Sequence, residues 1–234
     1  MSKIIGVIHA RGGSKRIPLK NIKELNGQPL ISYTIKAALA SKYLERVIVS
    51  TDHPEIKRIS LACGAEVPFD RPAAISEDVA SELVTQHAVN FIEDKEKSTL
   101  DIVVTLQPTS PFSTGADIDK TIDLLIKNPN LNSAISVKEI VERPEWMFYK
   151  EGDAITSYAG TIFSGDVGVS QTLPKLYVPN GAVYATRRSA LFGENALICK
   201  KCGGHVMSRE QSVDIDVPLD FVFAEFVAKN YFNK

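Results

Sequence analysis

Apolar and polar positions alternate along this chain in blocks of two kinds. Continuous apolar runs of five to seven residues, rich in Ile and Val, occur at Ile4–Ala10, Arg46–Thr51 and Leu100–Leu106. Runs of this length and composition predict strands buried on both faces, as in a parallel sheet. A shorter run at Ser133–Val137 and a later one at Asn180–Thr186 read the same way. Between them lie longer segments with apolar residues at helical spacing. PLISYTIKAALASK opens on Pro29, a favourable residue at a first helical turn. Pro54–Cys63 predicts a second helix ending at Gly64, and Val79–Phe91, Asp117–Lys127 and Val217–Asn230 predict three more. Strands alternating with helices imply βαβ units and a mostly parallel sheet, the α/β class.

The rhythm breaks between about Glu142 and Pro179, where turns, aromatics and short alternating runs replace clean helices. This stretch reads as a β-rich excursion inserted in one domain spanning residues 1–234; an irregular surface loop is the plainer alternative. Trp146, Phe148 and Tyr149 fall in it and suit a subunit seam better than a sugar pocket.

Composition narrows the classes of function. Hydrophobic content of 44% is ordinary for a globular protein, and a net charge of −1 argues against a general nucleic-acid or membrane-surface binder. The first residues carry too short an apolar run for a signal peptide, and no stretch reaches membrane-spanning length. Three cysteines without a pairing pattern fit a reducing cytoplasm.

Against that neutral background, VIHARGGSKRIPLKN (residues 7–21) stands out. The first strand runs directly into a loop carrying Arg11, Lys15, Arg16 and Lys20, with Gly12, Gly13 and Ser14 letting the backbone approach a ligand. Backbone N–H groups and cationic heads together suit the oxygens of a polyanion, with a nucleoside triphosphate the foremost candidate. The spacing is neither that of a Walker loop nor G-x-G-x-x-G. A solvated basic loop is the alternative, but open α/β sheets bind ligands at the C-terminal ends of their strands, where this loop sits.

Three further groups join it. In Asp214-Ile215-Asp216, an extended backbone puts both carboxylates on one face and Ile215 toward the core. Two such carboxylates with substrate phosphates are the usual protein share of a Mg²⁺ site. Helix capping by Asp216 ahead of Val217-Pro218 is the competing explanation. Gln107, in LQPTSP, falls where a buried strand ends, and its amide could bond a sugar or base. Arg71-Pro72 followed by Asp78-Val79-Ala80-Ser81 is a weaker candidate for reading a pyrimidine edge. Cys199, Cys202 and His205 resemble half a zinc knuckle, for which a surface turn is the better account. His9, at the strand end, reads as a packing residue rather than a base.

ARGGSKRIPLKN, IVSTD, RPA, LQPTSPF, PNGAVYAT and SVDID occur in the order found in acylneuraminate cytidylyltransferases, and the chain resembles that family over nearly its whole length. The resemblance implies a Rossmann-like three-layer sandwich with a dimerisation insertion, and a Mg²⁺-dependent enzyme joining CTP to a nonulosonic acid with release of pyrophosphate. It implies that Arg11, Asn21, Arg71 and Gln107 hold CTP or the sugar, that Ala80 and Ser81 lie at the cytosine, and that Lys15 and Lys20 attend the phosphates. Asn180 and Tyr184, in PNGAVYAT, join the substrate-binding set, and Asp214 with Asp216 forms the metal pair; Arg11, Lys15, Lys20 and Asp216 carry the catalytic charge. The implied partners are CTP, an acidic sugar and a second subunit.

The chain also departs from the family pattern. Phe112-Ser113 stands where relatives carry Leu-Arg, Val169-Ser170-Gln171-Thr172 lacks an expected arginine, and Glu82 replaces a serine. A different acceptor, such as Kdo, another 2-keto acid or a phosphonate, is therefore the alternative. A nucleotide binder without catalysis is a third reading, disfavoured by the intact aspartate pair.

Overall fold

The computed structural model describes residues 2–77, 79–160 and 173–232. The elements follow the alternation closely: β1 (Ile4–His9), the two-residue strands β2 (Glu24–Leu25) and β3 (Gln28–Pro29), α1 (Leu30–Leu39), β4 (Arg46–Ser50) and α2 (Pro54–Ala62). Next come α3 (Ser81–Glu96), β5 (Ile102–Leu106), α4 (Gly115–Lys127), β6 (Ser133–Glu139), and β7 (Phe148–Glu151) with β8 (Ala154–Ser157). The chain continues through β9 (Tyr177–Arg187), α5 (Arg188–Gly193), β10 (Cys202–Val206) and α6 (Pro218–Val227).

Six strands form one sheet in the order β10-β6-β9-β5-β1-β4. The β4–β1, β1–β5 and β6–β10 pairs are parallel, whereas β9 runs antiparallel between β5 and β6. The fold is thus α/β with a mostly parallel sheet, as the sequence predicts.

Strand parity explains the three layers. Ile4, Ile8, Val47, Val49, Ile102, Val104 and Leu106 share a core with residues of α1, α2 and α4. The alternate positions Ile5, Val7, Ile48 and Val103 pack against Ala88, Val89 and Ile92 of α3 and Leu191 of α5. The same parity continues to the strand ends. His9 and Ser50, which pair in register, therefore lie on the α3 side, and Gln107 follows Leu106 with the same sense.

Two elements differ from the sequence reading. The Cys202–Val206 segment is the edge strand of the main sheet, not a surface turn. A Cβ at Gly203 would stand 2.9 Å from Leu131 Cδ1, so close packing on Leu131 calls for a glycine in this strand. Cys199 is buried, and His205 is bonded to Asp117 Oδ1 at 3.1 Å, so a zinc knuckle has no support. Among the described residues no group of three His, Cys, Asp or Glu side chains is placed to hold a metal.

In the insertion, β7 and β8 form an antiparallel hairpin, and its base is tied by Ile140 N–H to Leu176 O at 3.1 Å. Phe148, Tyr149, Ile155 and Tyr158 are exposed on it. Val169 to Thr172 lie outside the described residues. Among the described residues no helix is long and apolar enough to cross a membrane.

Candidate active site

A third apolar cluster brings distant segments together. Ile17 packs with Leu25, Leu30, Phe112, Val213, Ile215 and Phe221. Ile17 belongs to the cationic loop and Ile215 to the aspartate pair, so one buried core fixes both. As a result Lys20 Nζ lies 3.3 Å from Asp216 Oδ1 and also donates to Ile215 O. Arg16 reaches the other carboxylate oxygen of Asp216 at 3.3 Å.

The extended Val213–Asp216 segment is held by a hydrogen bond from Ile215 N–H to Thr109 O at 2.9 Å. Helix capping does not account for Asp216. The carboxylate of Asp220 accepts the amides of both Asp216 and Val217 at 2.8 Å, leaving the Asp216 side chain for other work. Asp214 lies deeper. Burial raises the pKa of its carboxyl, the Thr109 hydroxyl beside it opposes this, and the charge of Asp216 adds to the rise. Its Oδ1 is buried with no well-formed hydrogen bond, and a bound divalent cation would offset the cost of burying it. The pair Asp214 and Asp216 therefore fits a hard cation.

One cavity of about 360 Å³ unites Arg11, Ser14, Lys15, Lys20, Asn21, Arg71, Ser81, Gln107 and Asp216. These are nine of the residues singled out from sequence. The cavity also takes in Arg16 and His9, together with Glu77, Val79, Val84 and Thr109, which the sequence reading did not select as site residues. Arg16, His9, Val79 and Thr109 lie within stretches quoted from the sequence, whereas Glu77 and Val84 carried no signal. Ala80 is the N-cap residue of α3, directly before Ser81.

Three cavity residues have a clear local support. Asn21 is buried and donates to Arg11 O at 2.9 Å, closing the cationic loop on itself. Arg71 is buried, with Nε on Ser50 Oγ at 3.0 Å; burial lowers its pKa to about 10, so it stays cationic at neutral pH. His9 Nε2 is 3.0 Å from Thr85 Oγ1, which in turn bonds Thr105 Oγ1 at 2.8 Å. Burial, with a contribution from the charge of Arg71, lowers the His9 pKa to about 3, which makes it a neutral packing and hydrogen-bonding residue.

Gly12 is required by close approach, though of protein rather than ligand. A Cβ there would meet His53 Cδ2 at 2.7 Å, while Gly13 has open space around it.

Asn180 and Tyr184 do not line the cavity. The Asn180 amide is spent inside the protein on Ser136, Met207, Ser212 and the Ala182 N–H. Tyr184 packs against the α3-side core. Asn180 lies within β9, where its pairing with β6 shifts register, and the next residue comes close to Ser110 and Asp214. Gly181 has φ +82°, and a Cβ on it would stand 3.6 Å from Asp214 Oδ2. Phe112 is buried and stacks on Phe232 at 4.8 Å, and Ser113 is buried too, so the turn that departs from the family pattern is core.

Comparisons with known proteins agree with this geometry. A family model described as "Cytidylyltransferase" matches residues 5–151. The chain is 32% identical over 232 residues to the post-translational flagellin modification protein B of Campylobacter coli, covering 98% of this chain and 96% of that protein. It is 30% identical over 224 residues to the CMP-N,N'-diacetyllegionaminic acid synthase of Legionella pneumophila, covering 95% of each. A solved CMP:2-keto-3-deoxy-manno-octonic acid synthetase complexed with CTP superposes with a TM-score of 0.70 at 18% identity, covering 97% of this chain and 99% of that one, a likeness of fold. This chain belongs to the cytidylyltransferase family.

Proposed function

We propose that this protein activates a nonulosonic acid, of the sialic, legionaminic or pseudaminic type, with CTP, giving a CMP-sugar and pyrophosphate. The observation that carries this reading is the convergence of four cationic side chains of the N-terminal loop, Arg71 and Asp216 on one strand-end cavity, with Asp214 two residues away on the same extended segment though not in the cavity lining. Full-length likeness to a CMP-nonulosonic acid synthase supports the acceptor class.

In this reading the anomeric hydroxyl of the acceptor attacks the α-phosphorus of CTP. A new P–O bond forms as the hydroxyl gives up its proton to solvent, the bond to the β-phosphate oxygen breaks, and pyrophosphate leaves with the displaced electron pair. Transfer of this kind depends mostly on positioning and charge neutralisation. Arg11, Lys15 and Lys20 offset charge on the departing pyrophosphate. Arg71 and Gln107, with Ser81 and Ala80 at the start of α3, frame the base and ribose. Asp214 and Asp216 would hold Mg²⁺, which when bound neutralises phosphate charge and lowers the pKa of a coordinated hydroxyl.

The exposed aromatics of the β7–β8 hairpin support a homodimer built through the insertion. Unpaired Cys63, Cys199 and Cys202 suit a cytoplasmic location.

Pyrophosphate release with CTP and a panel of N-acetylneuraminic, legionaminic, pseudaminic and Kdo acids tests the assignment. Turnover with at least one nonulosonic acid is expected. Turnover with Kdo alone overturns the acceptor class, and CTP binding without turnover of any acid overturns the enzyme assignment.

A further inference from the structure

The two oxygens of Asp216 are held by different cations. Oδ1 takes Lys20 and Oδ2 takes Arg16, each at 3.3 Å. These are oxygens that a divalent cation at Asp214 and Asp216 would need. The two cations differ in how firmly they are placed. Lys20 is mostly buried, and its ammonium is fixed by a second bond to Ile215 O. Arg16 has a side chain 65% exposed, with Asp216 as its ion-pair partner, and it lines the cavity of about 360 Å³. Its neighbour Ile17 is anchored in the core, so the guanidinium can swing while the backbone stays in place.

A guanidinium exchanges one carboxylate for several phosphate oxygens at a gain, since phosphate offers more bidentate sites and more charge. Resting on the cytidylyltransferase reading above, we propose that Arg16 is a positioning residue that guards Asp216 until the triphosphate draws its guanidinium away. Nucleotide then precedes metal, and the two bind cooperatively. By linkage the coupling is reciprocal, so loosening the guard weakens the cooperativity seen from either ligand.

Mn²⁺, an EPR-visible hard cation, titrated into the full chain with and without CTP tests this. For Arg16→Gln without nucleotide, Mn²⁺ affinity is expected to rise roughly two- to five-fold, the range of an exposed ion pair. With CTP bound, the variant and wild type are expected to bind Mn²⁺ alike. An equal rise with and without CTP would mean that simple charge removal is at work and would overturn the guard. Unchanged Mn²⁺ affinity without nucleotide overturns it too. Absence of Mn²⁺ binding to the wild type even with CTP would instead remove the metal site itself, and the guard with it. Because Arg16 is exposed, thermal unfolding of the variant is expected to match the wild type, which separates a local effect from misfolding.

Discussion

The amide of Gly12 donates to Asp52 Oδ1 at 2.8 Å, latching the cationic loop to the segment just after β4. His53, the next residue, stands so close that position 12 tolerates no side chain. His53 also caps α2, its Nδ1 accepting the Glu55 N–H at 3.2 Å.

Gly12→Ala must therefore push His53 away and loosen that cap. Overpacking of this kind costs about 1–3 kcal/mol. For a chain of this size each kcal/mol lowers Tm by about 2–4 °C. Thermal unfolding checks the stability, and pyrophosphate release should fall with it because the loop is displaced. An unaltered Tm would show that the latch is slack.

Arg11→Ala and Asp216→Asn address the proposed chemistry directly. Losing one preorganised electrostatic contact typically costs about 10²–10³ in kcat. Both positions lie at the cavity rather than in the core, so circular dichroism and Tm should stay near the wild-type values. Near-normal turnover by Asp216→Asn would contradict the metal assignment.

His9 predicts a pH dependence of stability. Its folded pKa of about 3 lies below the unfolded value of 6.5. The unfolded chain therefore binds the proton more readily below pH 6.5, and stability is lost as pH falls from there toward 3. The limiting slope from this one group is about 1.4 kcal/mol per pH unit. His9→Gln removes the titration, so the Tm difference between wild type and variant should change between pH 7 and pH 5 in the variant's favour. A pH-independent difference would show that His9 titrates normally.

The hairpin predicts an oligomeric state. Phe148, Tyr149 and Ile155 are exposed on one small two-stranded ribbon, which such residues rarely leave to water. Sedimentation at micromolar concentration should give a dimer, and the double substitution Phe148→Ser with Ile155→Ser should shift it to monomer. A wild-type monomer would refute the role assigned to the insertion.

Much of this was legible in the sequence because the signals were local. Ile-Val runs gave the buried strands, and Pro29, Pro54 and Gly64 marked helix ends. The apolar Ile215 between two aspartates foretold which side chain turns inward. The misses were matters of tertiary context. The edge strand at Cys202–Val206 carries two glycines and no β-branched run, and only its fit against Leu131 explains it. The antiparallel sense of β9 left no local mark. Asn180 entered the substrate-binding set through the family resemblance of PNGAVYAT, whereas its amide is consumed by Ser136 and Ser212 in the interior. Arg16 was legible as one cation of the loop, but its meeting with Asp216, distant in the chain, left no local mark.

The cluster shared by Ile17, Phe112, Ile215 and Phe221 bears on biosynthesis of the protein itself. On the ribosome, the segments for β1, β4 and β5 emerge long before residue 215 does. A growing polypeptide can thus assemble much of its framework while the cationic loop still lacks its hydrophobic clasp. The clasp can close only once residues 215–221 have been made, and a polypeptide cut short of them would leave the cationic loop without its apolar anchor.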